Sequence, residues 1–124
     1  MRTITIYYFQ GLARRIIFQY QFIAWPDRDC PEDELTVLEF IKFVRRENSK
    51  LSNPMVVHCS AGVGRTGTFI AMDILLLSCQ RDKFISICDT VRKLRLQRGR
   101  MVQTVGQYEF LYKSINMCLS QSIN

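Results

Sequence analysis

Several ways of holding a protein together are missing from this sequence. There is a single histidine, His58, and the five cysteines at 30, 59, 79, 88 and 118 include no Cys-x-x-Cys pair. Zinc is therefore not expected, because too few ligands stand at usual spacings. An odd number of widely spaced cysteines also argues against a disulfide framework, and a reducing, cytoplasmic compartment fits better. Most of these thiols are expected to be buried small hydrophobes. No apolar run approaches the roughly 20 residues of a membrane span. The opening MRTITIYYFQ lacks the charged-then-apolar pattern of a signal peptide. Nothing in the chain repeats.

What remains suits one globular domain. The chain has 124 residues, 48% of them hydrophobic and 11% aromatic, and a net charge of +6. That charge fits a soluble basic domain or attraction to an anionic ligand, and alone it does not choose between them. Residues 3–9 and 16–23 alternate and are rich in β-branched and aromatic side chains, which predicts two strands, paired as a hairpin about a turn near Gly11. AWPDRDCPED (24–33) is a loop. Helical spacing predicts helices over 34–46, 66–78, 86–98 and 106–120, with Leu35 and Leu119 on inward stripes. MVVH (55–58) reads as a short strand buried on both faces. Strands followed by helices around a central buried strand argue an α/β fold.

The chemistry concentrates in VHCSAGVGRTG (57–67). A strand, a glycine-rich loop and a helix make a phosphate cradle: N–H groups converge, and the helix N-terminus adds positive potential. Gly62, Gly64 and Gly67 let the backbone curl and approach a ligand. Arg65 offers a planar fork for two phosphate oxygens. The same surroundings stabilise a thiolate, and a cysteine so placed falls from about 8.5 to well below neutral. The loop is thus expected to bind a phosphate dianion and arm Cys59 as a nucleophile beneath it. The Walker A alternative fails because Arg65 stands where that loop needs lysine.

VHCSAGVGRTG resembles the signature loop of the protein tyrosine phosphatases along its whole length. Two further stretches follow the family's pattern. AWPD (24–27) is similar to the movable loop that carries the general acid, and QTVGQYEF (103–110) to the loop that positions water. The resemblance covers nearly all of the chain and matches the C-terminal half of a catalytic domain. It implies one partial domain over 1–124: a twisted mixed sheet flanked by helices, truncated on the N-terminal side.

The resemblance also implies roles. Cys59 attacks phosphorus. Arg65 and the backbone N–H groups of Ser60, Ala61, Gly62, Val63, Gly64 and Arg65 hold the phosphate oxygens. Thr66 hydrogen-bonds the sulfur, and His58 stiffens the loop. Asp27 is the general acid and then base. Trp25 and Pro26 are the stiff residues of a closing loop. Gln103 and Gln107 orient water and the phosphate. No metal or cofactor is implied, and the partners are phosphotyrosine-containing proteins. An accessible low-pKa Cys59 is expected to be oxidised reversibly by peroxide.

The sequence departs from the family in two respects. The phosphotyrosine-recognition loop and the glutamate loop that braces the signature arginine are missing. Arg28-Asp29-Cys30-Pro31 replaces the usual His-Gly-Val-Pro, which puts a second carboxylate near Asp27. Three readings stay open: a compact active phosphatase, a phosphotyrosine-binding copy without efficient turnover, or an excerpt of a longer chain. A nucleic-acid surface on Arg92, Lys93, Arg95, Arg98 and Arg100 is the weakest alternative. The stretch has no interleaved aromatics and reads as a solvated helix face that attracts acidic peptides.

Overall fold

The computed structural model describes residues 1–8, 13–26, 29–51, 54–81 and 84–122. Two strands come first, β1 (Arg2–Tyr8) and β2 (Ala13–Gln19). They pair antiparallel in a register that sets Ile4 opposite Ile17 and Thr5 opposite Ile16. The turn expected near Gly11 lies outside the described residues. Four helices follow: α1 (Glu34–Asn48), α2 (Gly64–Gln80), α3 (Ile87–Gln97) and α4 (Val105–Ser122). Each lies within a few residues of the span its periodicity predicts.

Local chemistry fixes the helix starts. Asp33 caps α1 by accepting from the Leu35 N–H at 3.0 Å, and Ser86 caps α3 by accepting from the Asp89 N–H at 3.2 Å. At the start of α2, Val63 offers no side-chain cap. The first N–H groups of that helix are therefore open to a ligand or to the loop before it.

The core lies between the helices, with α2 packed against α1, α3 and α4. Val37, Leu38 and Ile41 of α1 meet Met72 and Leu75 of α2 and Leu111 and Ile115 of α4. Leu35 and Leu119, expected on inward stripes, are exposed, because each stands near the end of its helix, where the neighbouring helix no longer covers it. Arg45 ties α1 to α2 with Nε on Asp73 Oδ1 and Nη2 on the Asp73 carbonyl, both at 2.9 Å. An aromatic ladder runs through this body. Phe22 stands edge-on to Trp25 and to Phe40, Phe40 to Phe69, and Trp25 is tilted against Phe110. These contacts anchor the segment after β2 onto α1, α2 and α4.

The strand expected over 55–58 does not form. Residues 54–59 carry no ladder, and Val56 is 86% exposed, although Val57 packs on the core. A central parallel strand needs neighbours on both edges. Among the described residues the only strands are β1 and β2, and they pair with each other. The described architecture is thus four helices and a two-stranded sheet. The hairpin's apolar residues Ile4, Ile16, Ile17 and Phe18 remain exposed.

Candidate active site

The loop between Cys59 and α2 is bent around the cysteine sulfur. Gly62 adopts φ +71°, a left-handed conformation open to glycine. Its N–H donates to Cys59 Sγ at 3.2 Å. The Thr66 hydroxyl is buried and makes no conventional hydrogen bond with another group; its interaction is with the sulfur. Burial pushes the Cys59 thiol up. Hydrogen bonding from the Thr66 side chain and from the backbone N–H groups of Thr66, Gly62 and Val63 outweighs it, and the thiol falls from 9.0 to about 7. The direction agrees with the expectation from sequence, but the thiol stops near neutrality because desolvation opposes the hydrogen bonds. The contrast with Cys30 is large: burial and then the Asp29 charge push that thiol up to about 11.

Cys59, Ser60, Ala61, Gly64, Arg65, Gln103 and Gln107 line one cavity of about 230 Å³. Seven of the residues singled out from sequence thus meet around a single opening. Arg65, in the first turn of α2, reaches across it. Nη2 donates to Ser60 Oγ at 3.3 Å and Nη1 to the Trp25 carbonyl at 3.5 Å. Trp25 is buried, and its Nε1–H donates to the Asp29 carbonyl at 3.0 Å. The AWPD segment is therefore tied to the signature loop through Arg65. Asp27 itself lies outside the described residues. His58 is exposed, with Nδ1 3.3 Å from the Cys59 carbonyl.

The two glutamines differ. Gln103 is exposed at the cavity wall. Gln107 is buried, and its Oε1 accepts from the Gln103 N–H at 2.9 Å and the Thr104 N–H at 3.3 Å. Its carbonyl oxygen therefore holds the backbone that presents Gln103, while its side-chain amide abuts Gly64. A Cβ at Gly64 would stand 3.0 Å from Gln107 Nε2 and 3.1 Å from Gln103 Oε1, so this glycine gives the glutamines room.

The sequence reading missed the residues that brace this loop. Arg95 and Arg98 stand on an exposed basic face, as expected, and their guanidinium groups also hold backbone carbonyls. Arg95 Nε donates to Met101 O at 2.9 Å and Nη2 to Val102 O at 2.7 Å. Arg98 Nε donates to Gly62 O at 3.0 Å and Nη2 to Ala61 O at 3.5 Å. The Val63 carbonyl accepts from both Gly67 N (3.0 Å) and Val102 N (3.1 Å). Val102 is fully buried with φ +60°, costly for a β-branched residue and held there by these bonds. No local signal marks the Arg98 contacts, since this residue is the extended C-cap of α3 and its partners stand 36 and 37 positions away.

The protein-tyrosine phosphatase family profile matches residues 1–117. Receptor-type tyrosine-protein phosphatase F from Bos taurus is 42% identical over 115 residues, 93% of this chain and 6% of the relative. Tyrosine-protein phosphatase 99A from Drosophila melanogaster is 41% identical over 103 residues, 83% of this chain and 8% of the relative. Receptor-type tyrosine-protein phosphatase epsilon from Homo sapiens shows the same identity and span, covering 15% of that protein. The chain thus spans a small part of the length of the curated relatives it matches. No helix among the described residues is long and apolar enough to cross a membrane. The chain belongs to the protein-tyrosine phosphatase family.

Proposed function

We propose that this chain hydrolyses phosphotyrosine in proteins through a cysteinyl-phosphate intermediate. The observation that carries the reading is the Cys59 sulfur, brought down to about 7, at a cavity shared with Arg65 and Gln103. In the first step the thiolate attacks phosphorus and the bond to the tyrosyl oxygen breaks. Asp27 gives that oxygen its proton. Arg65 and the N–H groups of residues 60–65 hold the equatorial oxygens as charge shifts toward the leaving group. In the second step Gln103 orients a water, Asp27 takes its proton, and the oxygen displaces sulfur. Inorganic phosphate and the Cys59 thiolate are released. Thr66 steadies the departing sulfur, His58 stiffens the approach to it, and Trp25 anchors the loop that bears Asp27. Gln107 acts behind Gln103, holding its backbone.

The same reading makes residues 1–124 one partial catalytic domain within a twisted mixed sheet flanked by helices. The exposed apolar residues of β1 and β2, with Met55 and Val56, support it, since they are what a larger sheet would cover. An odd number of widely spaced cysteines with no Cys-x-x-Cys pair supports a reducing, cytoplasmic setting.

The test is phosphate release from a phosphotyrosyl peptide in reducing buffer, with Cys59→Ser beside the parent chain. Turnover by the parent and none by the variant is expected. Saturable peptide binding without phosphate release by the folded parent would replace the enzyme with a module that shields phosphosites.

A further inference from the structure

We infer that Arg98 is a positioning residue for the nucleophile: it grips the backs of the two peptide planes whose N–H groups face the Cys59 sulfur. The argument rests on peptide planarity. In a trans peptide the C=O and the N–H point in opposite directions, and the described chain has no cis bond. The Ala61 carbonyl belongs to the same peptide as the Gly62 N–H, and the Gly62 carbonyl to the same peptide as the Val63 N–H. Arg98 donates to both carbonyls, Nε to Gly62 O at 3.0 Å and Nη2 to Ala61 O at 3.5 Å. On the opposite side, the Gly62 N–H reaches the sulfur at 3.2 Å, and the Val63 N–H is among the groups that favour the thiolate. One guanidinium from the end of α3 therefore sets the direction of two donors it never touches.

Two physical consequences follow. A carbonyl that accepts a charge-assisted bond polarises its own amide, so each N–H becomes a better donor to sulfur. The left-handed turn at Gly62 is also held against relaxation. The guanidinium lies alongside that residue, where a Cβ would stand 3.1 Å from Arg98 Nη2.

Among the described residues, the other charged and titratable groups near the sulfur are His58 before it and Arg65 on α2. Asp29, on the loop before α1, is turned to the Cys30 N–H at 2.8 Å. Gln103 and Gln107 face the cavity from the α4 side and are neutral.

The inference rests on Cys59 being the nucleophile, so its test reads the thiolate directly and needs no turnover. The full 124-residue chain, Arg98→Lys and Arg98→Ala are alkylated with iodoacetamide between pH 5 and 9, and modification of Cys59 is followed by peptide mass spectrometry. Arg98→Lys keeps the positive charge but loses the two-pronged fork. In both variants the pH midpoint is expected to rise by about half to one unit, slowing Cys59 at pH 6 by about 3–10-fold. The rates should converge with the parent at the high-pH plateau. Parental midpoints in both variants would overturn the inference, whatever happens to their melting temperatures. So would a parental midpoint in Arg98→Lys alone, which would leave only a charge effect. If Arg98→Ala loses its far-ultraviolet circular dichroism, Arg98→Lys decides. An unfolded Arg98→Lys would also overturn the inference, by making the residue a brace of the fold.

Discussion

Glycine-to-alanine changes at Gly67 and Gly106 should move stability in opposite directions, although both glycines lie inside helices. Helix propensity favours alanine by about 1 kcal/mol in a helix interior and by less in a first turn. At Gly106, in the first turn of α4, a Cβ would meet nothing closer than Thr104 Oγ1 at 4.0 Å. Only propensity acts there, and Gly106→Ala should stabilise by about 0.5 kcal/mol. At Gly67 a Cβ would collide with the Val102 backbone nitrogen and stand 3.0 Å from the Met101 carbonyl carbon. These are backbone atoms, so no side chain can swing aside. Overpacking of this kind costs about 1–3 kcal/mol. Displacing the Val102 N–H from Val63 O adds about 1 kcal/mol. Set against the propensity gain, Gly67→Ala should destabilise by about 1–3 kcal/mol. In a domain of this size each kcal/mol shifts Tm by about 3–5 °C. Urea unfolding followed by circular dichroism measures both variants. Because residues 101–102 lead directly into Gln103, Gly67→Ala should also slow phosphate release, while Gly106→Ala should not. A Gly67→Ala chain as stable as the parent would refute the claim that α2 and the 101–102 backbone are in irreducible contact.

Two further outcomes follow from the same contacts. With an aromatic disulfide reagent at pH 7, Cys59 should react on the order of 10² faster than Cys30. The thiolate fractions implied by about 7 and about 11 differ by more than a thousandfold, and the greater nucleophilicity of the more basic sulfur takes back part of that lead. The Cys59 rate should climb from pH 6 to 8 as the proton leaves, then level off; a rate still rising tenfold per unit above pH 8 would contradict the lowered thiol. Arg45→Ala should cost about 1–2 kcal/mol by cutting the half-buried link to Asp73, seen in urea unfolding, with the Cys59 alkylation midpoint unchanged.

The helices were legible because their signals are local. Apolar spacing, the Asp33 and Ser86 caps and the glycines that open α2 each act within a few residues. The cavity is local in the same way, since the 59–65 stretch supplies most of its lining. What was misread depends on partners distant in sequence. MVVH has a buried strand's composition, but composition cannot say whether neighbours stand on either edge, and Val56 is left in solvent. Arg95 and Arg98 look like any solvated basic face until the folded chain brings the carbonyls of Met101, Val102, Ala61 and Gly62 to them. Gln107 lines the cavity, and its carbonyl oxygen also holds the backbone of residues 103 and 104 one turn away.

These differences share a cause, and it locates the strength of the site. The segment that delivers Cys59 has no ladder to either side, so no sheet fixes the sulfur. The constraints come from downstream, from three helix ends. The first turn of α2 supplies Thr66 and Arg65, the end of α3 supplies Arg98, and the start of α4 supplies Gln107. Those helices share one core, in which Met72, Leu75, Leu94 and Leu111 are buried. The Val63 carbonyl, shared by Gly67 and Val102, joins the 59–65 loop to the 101–103 loop in a single pair of hydrogen bonds. A change that loosens this helix body therefore reaches Cys59 and its neighbours together. A change confined to the exposed faces of β1 and β2 touches none of the groups that hold the sulfur. The groups that hold the Cys59 sulfur and line its cavity come from helix ends and two arginines, and the described residues of β1 and β2 are not among them.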